Sequence, residues 1–213
     1  MEFQQFLAII PKIKSVIEEK SYSGIDFQLK MTPKERLRLN TSNISNSKEA
    51  AVLVLFYPKN GKTHLLLTLR AKYNGAHSAQ ISFPGGKKDN SDANLIHTAL
   101  RETEEEIGMP QNKVERLTPL SKVYIPPSNF WVSPFIGISN KQPEFNPNYE
   151  VEKLIEIKLS DLMDTRSVQS KKITTSYAKN WMVPCFILDG HTVWGATAMI
   201  LSELRELVKL AKD

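Results

Sequence analysis

Four glutamates crowd one end of a predicted helix, where their charge is least favourable. The segment from Phe83 to Gly108 reads FPGGKKDNSDANLIHTALRETEEEIG, and its pattern predicts a helix from about Asn90 to Ile107. Gly108 then ends the helix. Its last turns contain Glu102, Glu104, Glu105 and Glu106. At the negative end of the helix dipole each exposed carboxylate costs roughly 0.3 to 1 kcal/mol, so we expect a positive group from outside the chain to lie among them.

A divalent cation is the positive group that these side chains suit. At about 100° per residue, Glu102, Glu105 and Glu106 lie on one face of the helix. The opposite, apolar stripe contains Leu95 or Ile96, Ala99 or Leu100, Thr103 and Ile107. Carboxylates without Cys or His form an oxygen-only site, which favours magnesium or manganese. A solvated acidic face is the alternative, and the position of the run at the wrong end of the helix disfavours it.

The spacing of these residues resembles the Nudix box, G(x5)E(x7)REUxEExGU with U aliphatic. Here Gly86 is followed after five residues by Asp92, after eight more by Arg101-Glu102, and then by Glu105-Glu106 and Gly108. An Asp stands where the general box has Glu, and one extra residue precedes the Arg-Glu pair. Both departures are similar to the coenzyme A pyrophosphatase branch of the family.

A second motif of that branch, LLTxR[SA]x3Rx3Gx3FPGG, is matched upstream of the box. Its two ends are present as Leu66 to Ala71 and Phe83 to Gly86, at the family's spacing. Gly75 replaces the inner Arg of the motif, and Ala79 replaces the inner Gly. The resemblance extends from about Ala50 to the C-terminal helix.

This resemblance implies a reaction and leaves its substrate open. It implies magnesium- or manganese-dependent hydrolysis of a small molecule, coenzyme A or an acyl derivative, to 4′-phosphopantetheine and adenosine 3′,5′-bisphosphate. Because Gly75 and Ala79 break the second motif, ADP-ribose or another nucleoside-diphosphate derivative is an alternative. A non-catalytic Nudix-fold module that binds a ligand or nucleic acid is a further one. Nucleic acid is disfavoured, since aromatic residues are not interleaved with basic ones.

The family pattern also implies roles for individual residues. We expect Glu102, Glu105 and Glu106 to bind the cations, with the backbone near Gly86 as a further ligand. We expect the catalytic set to include Glu102, Glu106 and Arg101, where Arg101 orients Glu102 by an ion pair. For the general base we prefer Glu150, from a downstream loop, and Glu152 and Glu102 are the competing candidates.

Basic residues around the box could meet the substrate phosphates. Arg70, Lys87 and Lys88 are the nearest cations. His77 is a candidate for lining the pocket. The alternatives are solvated lysines and a histidine that serves only as a structural hydrogen-bonding group.

Composition sets the broad class of the protein. A chain of 213 residues fits one domain with additions, and its formal charge of +5 suits anionic ligands. The longest apolar run, Ala50 to Tyr57, is far shorter than the roughly 20 residues that cross a bilayer. The N-terminus lacks the pattern of a secretory signal, so we predict a cytoplasmic protein without a membrane partner. Cys185 is alone and flanked by apolar residues, and we assign it no chemistry.

The chain divides into an N-terminal segment and a main domain. Residues 1–49 contain an amphipathic helix at about 3–20 and a polar linker, and residues 50–213 form the predicted Nudix domain. We expect the apolar stripe of the helix to pack on that domain, and a membrane-surface role or a homodimer interface is the alternative. Strands at 50–57 and 63–70 form a hairpin around Pro58 to Gly61.

The remaining elements complete an α/β fold. Further strands are predicted near 114–125, 131–138, 151–159, 172–177 and 181–188, and an amphipathic helix at 196–212. Helices before, within and after the strands indicate a mixed β-sheet with helices on both faces. The resemblance implies the same architecture, the Nudix-type α/β/α sandwich.

Overall fold

The computed structural model describes residues 1–34, 36, 46–71, 80–175 and 179–212. The helices are α1 (Phe3–Glu18), α2 (Gly24–Leu29), α3 (Leu95–Ile107), α4 (Leu159–Met163) and α5 (Gly195–Leu210). The strands are β1 (Lys48–Lys59), β2 (Lys62–Arg70), β3 (Ile81–Ser82), β4 (Gly85–Lys87), β5 (Glu115–Pro119), β6 (Val123–Ile125), β7 (Phe130–Ile138), β8 (Val151–Lys158), β9 (Val168–Ile173), β10 (Trp181–Leu188) and β11 (His191–Trp194).

Strand β1 is the centre of the larger sheet, and its unbroken apolar run follows from burial on both faces. Leu53, Leu55 and Tyr57 are buried against α3 on one side. Val54 and Phe56 alternate with them and join the core that contains α1 and α5 on the other side. A strand that is covered by helices on both faces needs apolar residues at every position.

The larger sheet is mixed. Its main path runs β3-β2-β1-β7-β5, with β4 paired to β1, β6 to β7 and β8 to β2. The pairing of β1 with β7 is parallel, and the other pairs are antiparallel. A smaller antiparallel sheet, β11-β10-β9, lies beside it. With helices on both faces, this arrangement confirms the predicted α/β/α sandwich and its N-terminal helix.

The β1-β2 hairpin turns more tightly than predicted. Lys59 pairs directly with Lys62, so the turn contains only Asn60 and Gly61. Both residues have positive φ, 51° and 75°, which is the conformation of a type I′ turn. The strands therefore extend through Pro58 and Lys59, which the sequence analysis assigned to the turn.

Several other boundaries differ from the prediction. The stretch 114–125 forms two strands, β5 and β6, because the chain leaves the sheet edge at residues 120–122. The predicted strand at 172–177 is displaced to β9, and residues 176–178 lie outside the described part. Strand β11 was not predicted, since its four residues follow an Asp189-Gly190 turn too closely to show a period.

Helix α1 packs in the same core as the large sheet. Phe3, Phe6 and Ile13 are buried there, and the Phe6 ring lies 4.5 Å from the ring of Phe56. The apolar stripe of the helix is thus covered by this chain, as expected. The boundary at residue 50 stays a prediction, and β1 begins at Lys48.

A buried glutamate ties the N-terminal segment to α5. Glu203 is fully buried, and its carboxylate accepts hydrogen bonds from the Tyr22 hydroxyl at 2.6 Å, the Gln28 amide at 2.7 Å and the Ser121 backbone N–H at 2.9 Å. Gly24 packs directly on this carboxylate, where a Cβ would lie 2.2 Å from Oε1. The three donors join α2 and the β5-β6 connection to α5.

None of the helices within the described ranges is long and apolar enough to span a bilayer.

Glu203→Ala is expected to lower the free energy of unfolding by about 2–4 kcal/mol, because it removes the shared acceptor of one buried and two partly buried hydrogen bonds. Urea unfolding of both proteins measures the change. Glu206→Ala is the matched control, one turn further along α5. Its ion pairs with Lys30 and Lys209 are partly exposed, so its loss should stay below about 1 kcal/mol. Equal losses for the two variants would contradict the role of Glu203.

Candidate active site

Helix α3 begins later than predicted and ends where predicted. The Asn94 side chain accepts a hydrogen bond from the His97 backbone N–H at 2.9 Å, which caps the helix. The start predicted at Asn90 was wrong, because the preceding residues form a turn closed by hydrogen bonds to Asp89 and Asp92. Gly108 has φ 71° and ends the helix in the left-handed conformation.

A downstream loop caps the acidic end of α3. The Asn146 N–H donates to the Ile107 carbonyl at 2.8 Å, and the Asn148 N–H donates to the Glu106 carbonyl at 2.9 Å. These bonds satisfy carbonyls that a helix C-terminus leaves without partners. The Asn148 side chain then accepts from the Glu150 N–H at 2.9 Å. The loop rich in Pro and Asn therefore carries Glu150 to the end of the helix.

Glu106 is the buried centre of the site. Its Oε2 accepts from the Gly85 N–H at 3.1 Å, and its Oε1 lies 3.2 Å from Nη1 of Arg70. Burial raises the pKa of Glu106 to about 7, and the negative charges of Glu102 and Glu150 act in the same direction. Arg70 and the Gly85 amide oppose this shift. Arg70 and the Gly85 amide therefore offset only part of the effect of burial on the Glu106 carboxylate.

The two glycines of β4 bring the backbone close to the acidic side chains. Gly85 has φ +143°, and a Cβ at this position would lie 2.3 Å from the Ala51 carbonyl oxygen. A Cβ on Gly86 would lie 2.3 Å from Oε2 of Glu102. Only glycine leaves room for the Glu102 carboxylate against the strand. Burial raises the pKa of Glu102, against the effect of Arg101.

Arg101 is fixed mainly by Asp92. Its Nε and Nη2 each lie 2.9 Å from a carboxylate oxygen of Asp92, whose side chain is fully buried. The hydrogen bonds from Arg101 hold the pKa of Asp92 well below its usual range. The predicted ion pair with Glu102 is present at 3.0 Å, beside a second pair with Glu105 at 3.0 Å. The orienting role of Arg101 on Glu102 stays a prediction.

The predicted convergence of three carboxylates is not present in this arrangement. Within the residues that the structure describes, no group of three or more His, Cys, Asp or Glu side chains could hold a metal ion. The reason is pairing with arginine, since Glu105 and Glu102 turn towards Arg101, and Glu106 towards Arg70. The Glu105 side chain is 56% exposed, so breaking its pair costs less than about 1 kcal/mol.

The donor set nevertheless fits a hard divalent cation. The charges of Glu102 and Glu150 raise the pKa of Glu106, and those of Glu105 and Glu150 raise the pKa of Glu102. A cation among these oxygens would relieve that repulsion. The absence of a Cβ at Gly86 lets the Glu102 carboxylate lie directly against the backbone of β4.

The predicted substrate-binding residues are distributed unevenly. Arg70 lies in the site, with Nη2 3.5 Å from Oε2 of Glu150. Lys87 lines the adjacent cavity. Lys88 instead pairs with Glu49 at 3.7 Å. His77 lies outside the described residues, as do Gly75 and Ala79.

Glu102, Glu106 and Glu150 form the acidic cluster of the site. A cavity of about 290 Å³ lies beside it. Its lining includes Arg70, Gly85, Gly86 and Lys87. Most of its other lining side chains are apolar, and the sequence analysis did not identify them. They come from strands distant in sequence, so no local spacing indicates that they share a wall.

An acidic helix end held against a Gly-Gly strand, on a mixed sheet between helices, is the arrangement expected of a Nudix-type domain. Residues 47–177 match the NUDIX domain family. The Nudix hydrolase NudL of Photorhabdus laumondii is 32% identical over 188 residues, which cover 86% of this chain and 95% of that protein. The chain therefore belongs to the Nudix family and is a pyrophosphohydrolase.

Two further similarities agree with this result. The mitochondrial coenzyme A diphosphatase NUDT8 of Homo sapiens is 36% identical over 156 residues, covering 71% of this chain and 65% of that protein. The predicted relationship to the coenzyme A pyrophosphatase branch is thus confirmed. The crystal structure of RenU, a Nudix hydrolase from M. Smegmatis, superposes with a TM-score of 0.54 at 19% identity, covering 76% of this chain and 86% of that chain. This last similarity supports the fold.

The metal-free protein is expected to lose stability, relative to Glu106→Gln, as the pH rises from about 5 to 8. The ordinary pKa of the carboxyl is 4.5, and in the folded protein it is about 7. Between these values the unfolded chain releases a proton that the folded chain keeps, so the free energy of unfolding falls with rising pH. The expected difference is about 3 kcal/mol.

Unfolding in urea with a chelator present, at about pH 5 and pH 8, measures this difference. Glu104→Gln is the control, because Glu104 is exposed on the same helix turn. Its curve should follow that of the wild-type protein. If the free energy of unfolding changed with pH in the same way for the wild type and Glu106→Gln, burial would not raise the pKa of Glu106.

Proposed function

We propose that this protein hydrolyses the pyrophosphate bond of coenzyme A or its acyl derivatives, with Mg²⁺ or Mn²⁺, to 4′-phosphopantetheine and adenosine 3′,5′-bisphosphate. One observation carries the proposal. Gly85, whose amide holds Glu106, also lines the cavity, together with Gly86 and Arg70. A diphosphate in that cavity would therefore lie against the acidic cluster.

Glu102, Glu105 and Glu106, with the backbone carbonyl of Gly86, would hold the divalent ions. Such ions, when bound, neutralise charge on phosphoryl oxygens and lower the pKa of a water molecule. The arginine between Glu106 and Glu150, Arg70, can donate to a diphosphate oxygen from the cavity wall. Arg101, tied to Asp92, keeps Glu102 close to Gly86 as a positioning residue.

Glu150 is our candidate for the general base. Its side chain is 43% exposed, so water can reach it, and the Asn148 cap fixes its backbone at the end of α3. A base must lie within hydrogen-bonding distance of the water that it deprotonates. Glu102 is the competing candidate, and burial raises the pKa of its carboxyl against the effect of Arg101. Glu152 has no contact with the cluster in the residues that the structure describes, and it serves below as a control.

The choice of coenzyme A rests on the two sequence motifs, on the similarity to the human diphosphatase and on the cavity. The cavity lining combines the cations Arg70 and Lys87 with mostly apolar side chains. Coenzyme A has the matching division into a diphosphate and a long neutral arm. ADP-ribose has polar groups on both sides of its diphosphate, so an apolar wall favours it less.

The test is a substrate panel with Mg²⁺ or Mn²⁺, with the products identified by mass. We expect 4′-phosphopantetheine and adenosine 3′,5′-bisphosphate from coenzyme A, at a higher kcat/KM than for hydrolysis of ADP-ribose or nucleoside diphosphates. Glu150→Gln should lower kcat by about 10²–10⁴-fold if Glu150 is the base. Glu152→Gln, two residues along, should retain activity near that of the wild type.

Three results would contradict this assignment. A higher kcat/KM for ADP-ribose than for coenzyme A would show that coenzyme A is not the preferred substrate. Binding of coenzyme A without hydrolysis would favour a non-catalytic module. Equal rates for Glu150→Gln and Glu152→Gln would exclude Glu150 as the base and leave Glu102.

A cytoplasmic location and a homodimer stay predictions. The human relative is named as a mitochondrial protein, so location is tested by fractionation of the native cells, where we expect the protein with the cytoplasmic markers. Light scattering of the purified protein determines the oligomeric state.

A further inference from the structure

Part of the cavity lining consists of two tryptophans. Trp181 is the first residue of β10 and Trp194 the last of β11, and both line the cavity. Trp194 pairs directly with Cys185, and Trp181 lies four residues before Cys185 in the same strand. Because side chains alternate along a strand, both indoles lie on the same face of the small sheet. That face is the aromatic wall of the cavity.

Both tryptophans are only partly covered by the rest of the chain. Large aromatic side chains gain most from full burial, and aromatic surface left open in a cavity is typical of a binding site. Gly195, which follows Trp194, has no heavy atom within 4 Å of an ideal Cβ position. Among the described residues, none fills the space next to Gly195, which lines the same cavity.

The aromatic wall differs in charge from the cavity lining that β2 and β4 supply. Among the described lining residues the charged ones are Arg36, Arg70 and Lys87. Arg70 and Lys87 lie beside the glycines of β4, and the Arg36 guanidinium donates to the Tyr124 carbonyl. The lining residues that come from β10, β11 and the start of α5 are all uncharged.

This division distinguishes the two arms of coenzyme A. The adenosine arm carries a 3′-phosphate, which needs a cationic partner when it leaves water. The pantetheine arm is neutral and ends in a thiol or an acyl thioester. Resting on the proposed function, we propose that Trp181 and Trp194 bind the acyl-pantetheine arm and are the residues that determine acyl-chain specificity.

The first test measures kcat/KM for coenzyme A and for acyl-coenzyme A of increasing chain length. In the wild type we expect kcat/KM to rise with chain length. Trp181→Ala and Trp194→Ala should each remove about ten-fold of this preference, mainly through KM, because the wall contacts no reacting atom. Trp→Phe at each position should retain most of it. Met182→Ala is the matched control, since Met182 is exposed on the opposite face of β10.

A binding measurement identifies the arm without turnover. Trp131 packs on Tyr124 at 5.3 Å between ring centroids, and Trp131→Phe leaves Trp181 and Trp194 as the only fluorophores of this type. We expect S-acyl-4′-phosphopantetheine to change their emission and adenosine 3′,5′-bisphosphate to leave it unchanged. The reverse result would place the nucleotide at the wall and overturn the inference.

The outcomes separate this inference from the proposed function. If the wild type hydrolyses coenzyme A but Trp181→Ala and Trp194→Ala keep its chain-length preference, the inference alone is wrong. An equal loss on coenzyme A and on every acyl form would likewise overturn it, because the wall would then be structural. If no coenzyme A compound is hydrolysed, both proposals fail.

Discussion

The buried carboxylate of Glu106 is the constraint on which the rest of the site depends. It lies 3% exposed at the last turn of α3, with Glu102 and Glu150 as neighbours of the same charge. Gly85 must be a glycine so that its amide can reach this carboxylate, and Arg70 must extend from the end of β2 to meet it. The protein therefore maintains an electrostatic repulsion that a divalent cation would remove.

The link between Asp92 and Arg101 gives a physical reason for the unusual form of the box. Asp92 lies in the turn before α3, outside the helix, and both of its oxygens accept from the guanidinium. Asp92 has a shorter side chain than the Glu of the general box, and one extra residue separates it from Arg101. The two changes together still allow the bidentate contact. Arg101 is thereby held with Nη2 also beside Glu102 and with Nη1 directed at Glu105.

Local signals predicted the elements that local interactions determine. The end of α3 at Gly108, the run of β1 and the presence of the β1-β2 hairpin follow from residue type and spacing, although the turn is shorter than predicted. The start of α3 was not predicted correctly. Asn90 and Asn94 are both favourable N-cap residues, and only tertiary contacts decide between them. The pairing of Arg70 with Glu106 and the aromatic wall depend on strands brought together from distant parts of the sequence, and no spacing rule predicts such contacts.

Calorimetric titration of Mn²⁺ into the wild type, Glu106→Gln and Glu104→Gln tests the central claim most directly. Glu104 is the exposed neighbour on the same helix turn. We predict that the wild type and Glu104→Gln bind the ion with similar affinity, and that Glu106→Gln binds it at least about ten-fold more weakly. Equal binding by all three proteins, or no binding by the wild type with or without coenzyme A, would contradict the account.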